Sequence, residues 1–320
     1  MNEMTIGLGP RIDPSKFRDP ERTASGDRRA EVALRQLETL WFNTGTLCNL
    51  ACGNCYIESS PTNDRLVYLT LAEVESFLDE IAELGLNTQE IAFTGGETFM
   101  NPEFIPMLES VLARGFEALI LTNAMRPMMK RAEDLLELAP RDRLMLRVSL
   151  DHFTEEGHQL IRGPRSWDPA IMGLKWLSDN GFSISVASRT CWQEDETKIR
   201  RGFTNLFAVE NINIDAEDPS RLVLFPEMDE KLDVPEITTQ CWDILGISPD
   251  EMMCASSRMI LKRKGDLSPV ISPCTLLPYD EAFDLGTTLA GAIPSVKLNH
   301  PHCAKFCVLG GASCSASNSP

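Results

Sequence analysis

From residue 37 to residue 228 the chain alternates short apolar runs with amphipathic segments, and an unusual polar string closes each of the first five runs. The runs are Leu40 to Phe42, Glu90 to Thr94, Ala118 to Thr122, Leu144 to Leu150 and Phe182 to Ala187. A sixth falls at either Asn211 to Ile214 or Leu222 to Phe225. Between them lie well-signalled helices. Thr70 and Glu73 form a capping box ahead of Val74, Phe77, Leu78 and Ile81, and Gly85 follows. Asn101-Pro102 and Asp168-Pro169 open two more helices. Strand and helix in this alternation predict a parallel sheet wound in β/α units. Loops at the C-terminal ends of barrel strands gather at one mouth. Five consecutive polar strings in that position favour a partial, TIM-like (β/α)6 barrel over an open doubly wound sheet.

The first polar string is TGTLCNLACGNC, with Cys48, Cys52 and Cys55 spaced C-x3-C-x2-C. The second is Thr94-Gly95-Gly96-Glu97. Three close thiolates hold three irons of a four-iron cluster and leave the fourth iron open to a ligand. A structural zinc knuckle needs a fourth nearby ligand, and no histidine lies close in sequence. Paired glycines permit close backbone approach, and an ionised glutamate makes a charge-assisted hydrogen bond to an ammonium group.

On these two strings the chain resembles the radical S-adenosylmethionine (SAM) superfamily over roughly residues 36 to 228. The resemblance implies a [4Fe-4S] cluster on Cys48, Cys52 and Cys55, with its open iron on SAM and Gly95, Gly96 and Glu97 at the methionine amino group. It implies reductive cleavage to a 5′-deoxyadenosyl radical that takes hydrogen from a substrate. It also implies a reductant such as flavodoxin or ferredoxin. Two positions depart from the family pattern. Asn54 replaces the usual aromatic before the last cysteine, with Tyr56 one place beyond as the candidate adenine contact, and Thr98 replaces the proline after Glu97. Ser149 and Asn123, closing two further strands, match where the family places polar contacts to SAM; a core serine and a turn residue are the plainer alternatives. Arg162-Gly163 resembles a loop string that follows the fourth strand in the family. Cys191, just past the fifth strand, is a candidate hydrogen donor or substrate contact, against the alternative of a small buried hydrophobe.

Six of the ten cysteines fall after residue 240. Cys254, Cys274, Cys303, Cys307 and Cys314 resemble the SPASM and twitch extensions, which implies an auxiliary [4Fe-4S] cluster; a zinc ribbon using His300 or His302 is the alternative. Cys241 reads as packing or a spare ligand. The expected organisation is a mobile or surface-bound arm at 1–36, the barrel at 37–228, and a small cysteine-rich α+β extension at 229–320. A net charge of −17 argues against nucleic-acid partners, and no stretch reads as a signal or membrane segment. Cysteine without a secretion signal points to metal ligation in a reducing cytoplasm. Two enzymatic readings follow, maturation of a peptide and oxidation or rearrangement of a small metabolite. Against both stands a non-catalytic iron-sulfur or zinc protein that binds a partner.

Overall fold

The computed structural model describes residues 10–190, 194–226 and 229–311. After a short strand β1 (Glu31–Val32) come β2 (Thr39–Asn43), β3 (Glu90–Thr94), β4 (Glu117–Thr122), β5 (Leu144–Ser149), β6 (Ser183–Arg189) and β7 (Leu222–Phe225). From β2 to β7 each strand pairs in parallel with the next. The sixth strand is therefore Leu222–Phe225, and Asn211 caps a helix in the left-handed conformation instead. At the other edge, β8 (Ser257–Leu261) pairs in parallel with β2, and β9 (Val270–Ser272) runs antiparallel to β8. The result is an eight-stranded, mostly parallel sheet that curves as a partial barrel without closing. β8 and β9, from the region assigned to the extension, thus join the barrel's own sheet.

Helices α1 (Leu71–Leu84), α2 (Phe104–Ala113), α3 (Arg126–Met129), α4 (Ala132–Glu137), α5 (Glu155–Arg162), α6 (Trp167–Asp179) and α7 (Glu196–Glu210) make the crossovers. The α1 capping box forms as predicted, and Gly85 ends the helix at φ 62°. Strand alternation then splits the interior in two. Leu40, Phe42, Ile91, Phe93, Ile120 and Val148 pack against the helices. Trp41, Ala92, Leu119 and Met259, on the opposite face, pack against the C-terminal region with Leu276, Phe283 and Phe306. The extension, which also contains α8 (Cys241–Leu245) and β10 (Val296–Lys297), therefore fills the barrel's inner face.

Residues 10–36 lie along this extension. β1 pairs antiparallel with β10, and the Ile12 N–H donates to the Lys231 carbonyl at 2.9 Å. Arg29 and Glu236, both buried, form an ion pair at 2.5 Å. Such a pair is costly to break once desolvated, because removing one partner strands the other charge. Residues 10–36 are thus paired with the extension through β1 and the Arg29–Glu236 ion pair.

Candidate active site

The loop after β2 and the loop after β3 are interlocked through backbone. Gly96 N–H donates to the Gly45 carbonyl at 2.8 Å, and Glu97 N–H donates to the Leu47 carbonyl at 3.1 Å. A Cβ on Gly96 would lie 2.2 Å from the Leu47 oxygen, and one on Gly95 (φ +145°) 2.6 Å from the Gly45 oxygen. The two glycines are thus required by the approach of one loop to the other, immediately before Cys48.

Glu97 is 1% exposed. Its carboxylate accepts from Thr122 Oγ1 at 2.7 Å, Asn123 N at 2.8 Å and Phe99 N at 3.4 Å. Burial pushes its pKa up to about 6 against the pull of these donors. A carboxylate offers about four lone-pair positions, so one remains for a ligand donor. Asn123, also buried, passes the connection on: its Nδ2 donates to Asn49 Oδ1 at 2.9 Å and lies 3.9 Å from Cys48 Sγ. The candidate SAM contact Asn123 thus also braces the cysteine loop.

Backbone N–H groups also address the sulfurs. Leu50 N donates to Cys48 Sγ and Ser59 N to Cys55 Sγ, both at 3.4 Å. Cys48 is buried, and desolvation pushes its thiol up to about 12, whereas Cys52 and Cys55 are half-buried. Burial also raises Cys52, with the Arg162 guanidinium pulling in the other direction. That arginine belongs to a clamp that sequence reading treated only as loop architecture. Buried Asp151 accepts from Arg162 Nε at 2.6 Å and from Arg189 Nε at 3.1 Å. Despite burial, the two guanidiniums hold its carboxyl below the usual range. Gly53 N–H donates to the Ile161 carbonyl at 2.7 Å, and Arg189 Nη1 donates to the Asn54 carbonyl at 3.4 Å. The ends of α5 and β6 therefore hold the cysteine loop from its far side. Ser149 lies on the same face of β5 as Met145 and Arg147, at the end nearest this clamp.

A cavity of about 730 Å³ opens on this loop. Cys52, Cys55 and Tyr56 form one wall; Leu277, Tyr279 and His302 belong to the other. Tyr56 Oη lies 3.3 Å from Thr94 Oγ1, so the candidate adenine contact stands beside both loops.

Behind the far wall, Cys254, Cys274, Cys303 and Cys307 line a second, smaller cavity. The fold brings them there from three places: a turn before β8, the segment after β9, and the turn Cys303–Val308. Burial raises Cys254 to about 11 and Cys303 to about 12. Cys241 is absent from this lining and accepts from Thr238 N at 3.3 Å, which makes it a packing residue. Cys191 and Cys314 lie outside the described residues.

Among the described residues, no three His, Cys, Asp or Glu side chains gather closely enough to hold a single metal ion. The donors are chiefly thiols, Cys48, Cys52 and Cys55 on the loop and Cys254, Cys274, Cys303 and Cys307 beside His302 at the smaller cavity, and sulfur-rich sets of this kind suit iron-sulfur clusters.

The family model described as the radical SAM superfamily matches residues 42–196. The antilisterial bacteriocin subtilosin biosynthesis protein AlbA of Bacillus subtilis is 33% identical over 187 residues, which are 58% of this chain and 38% of that protein. The mycofactocin maturase MftC of Mycobacterium tuberculosis is 29% identical over 154 residues, 47% of this chain and 38% of that one. The chain thus aligns with well under half the length of these curated relatives. Among solved structures, Streptococcus suis SuiB bound to its precursor peptide SuiA shares the fold, with a TM-score of 0.60 at 14% identity, covering 82% of this chain and 66% of that one.

Proposed function

We propose that this chain, whose residues 42–196 form a radical SAM domain, reductively cleaves SAM and modifies a peptide held between the barrel and its C-terminal extension. The observation that carries this reading is the interlocking of the cysteine loop with the Gly-Gly-Glu loop beside a cavity of about 730 Å³. Cys48, Cys52 and Cys55 would hold a [4Fe-4S] cluster, which would supply the electron for reductive SAM cleavage and so for hydrogen abstraction from the substrate.

The chain's own residues provide positioning. Gly95 and Gly96 fix the loop geometry, Glu97 keeps an acceptor position toward the SAM ammonium, and Tyr56 and Ser149 are assigned to the adenosyl part. Buried Asp151 orients Arg162 and Arg189 against the cysteine loop. The second cavity is assigned to an auxiliary [4Fe-4S] cluster, with Cys254, Cys274, Cys303 and Cys307 as available thiols. We take 37–228 and 229–320 as the catalytic and auxiliary units. Flavodoxin or ferredoxin is the assigned reductant and the cytoplasm the assigned location. Among the described residues no helix is long and apolar enough to cross a membrane.

A peptide substrate is favoured by what the relatives are named for: subtilosin biosynthesis, mycofactocin maturation and, for SuiB, a bound precursor peptide. The test is anaerobic reconstitution with iron and sulfide, then SAM and dithionite. The expected products are 5′-deoxyadenosine and methionine, and Cys52→Ala forms neither. Unchanged cleavage in Cys52→Ala would remove the assigned cluster site. No cleavage by fully loaded wild type would favour a non-catalytic iron-sulfur protein.

A further inference from the structure

His302 stands on the wall of both cavities at once. It is 4% exposed, and its Nδ1 is fully buried without a hydrogen-bond partner. Buried polar atoms are nearly always paired, and an orphan calls for a partner that the protein itself does not provide. The backbone N–H of His302 donates to His300 Nδ1 at 3.1 Å, which fixes the His300 ring, and the two imidazoles pack 4.8 Å apart.

The thiols around the smaller cavity are unequal. Cys254, Cys274 and Cys303 are 8%, 8% and 9% exposed, whereas Cys307 is only half-buried. Three enclosed thiols and one enclosed imidazole whose Nδ1 has no hydrogen-bond partner therefore line the same space.

Taking the auxiliary cluster of the proposed function as given, we infer that His302 supplies its fourth protein ligand, beside Cys254, Cys274 and Cys303. Cys307 is then a neighbour of the centre and not a ligand. Neutral imidazole in place of an anionic thiolate lowers the negative charge on the centre, which raises its reduction potential relative to an all-cysteine set. Its ligand ring also forms part of the wall of the larger cavity, so the centre touches the substrate side through His302.

The test isolates this centre. The triple variant Cys48→Ala, Cys52→Ala, Cys55→Ala is reconstituted anaerobically with iron and sulfide, reduced with dithionite and examined by pulsed electron paramagnetic resonance (EPR). The expected spectrum carries the ¹⁴N coupling of a directly bound imidazole. In that background His302→Cys keeps four irons, loses the coupling and moves the midpoint potential downward; Cys307→Ser and His300→Ala keep the coupling. A four-iron centre with no such coupling overturns the inference before any His302 variant is made. So does a coupling that persists in His302→Cys, or loss of the centre in Cys307→Ser alone. Failure of the triple variant to bind any cluster overturns the auxiliary-cluster reading itself, and with it the role of His302.

Discussion

The two cysteine regions are built in opposite ways. Cys48, Cys52 and Cys55 sit on one loop, with two of the three thiols half-exposed beside the large cavity. Cys254, Cys274 and Cys303 come from separate segments and are buried in the inner core. A loop facing open space has little tertiary packing to shape it, so its spacing must be set locally, and its neighbours hold it through backbone hydrogen bonds and the Asp151 clamp. A buried site is shaped by the fold around it, so its ligands need no regular spacing. The first site is therefore open to a ligand, and the second is suited to hold a centre without one.

Separating the two regions by mutation tests this contrast. The largest effect is expected from Cys254→Ser. It should remove the rear iron and leave SAM cleavage by the front site in place, measured by iron content beside 5′-deoxyadenosine yield. Loss of cleavage together with the rear iron would show that the two sites are not independent.

Gly96→Ala comes next. Its new Cβ would stand 2.2 Å from the Leu47 oxygen, a backbone atom that cannot move aside cheaply. Overpacking of this kind costs about 1–3 kcal/mol. Thermal unfolding should show that loss, while front iron falls and rear iron stays. A variant with wild-type stability and full front loading would mean that the two loops tolerate separation.

Glu97→Gln is expected to act more gently. It retains the buried shape and removes the charge offered to the SAM ammonium. A lost charge-assisted hydrogen bond is worth about 1.5–3 kcal/mol, or about ten- to hundredfold in affinity. Equilibrium binding should show weaker SAM with both iron contents unchanged. Equal affinity would leave Glu97 as a brace between the β3 and β4 loops alone.

The same contrast explains what the sequence disclosed. The alternation of runs and helices and the capping box at Thr70 are local signals that the fold bears out, and both polar strings of the front site are local too. The addition of β8 to the sheet carried no such signal, because Arg258 lies within that strand. That side chain is fully buried and donates to the carbonyls of Cys254 at 2.7 Å and Ala292 at 2.9 Å, an arrangement no strand pattern announces. Docking of the arm rests on Arg29 meeting Glu236, 207 residues away. Asp151 carried no signal of its own, since its partners lie 11 and 38 residues along the chain. Resemblance marked the rear cysteines as a group and the zinc alternative already pointed to His300 or His302, yet the cavity they share depended on the extension folding into the barrel's inner face.

The most direct test of an open front site and a closed rear site is EPR of the reduced protein with and without SAM. Wild type is compared with the triple variant Cys48→Ala, Cys52→Ala, Cys55→Ala. SAM is expected to change the wild-type spectrum and to leave that of the triple variant unaltered. A SAM-dependent change in the triple variant, or none in wild type carrying both clusters, would contradict the assignment of the two regions.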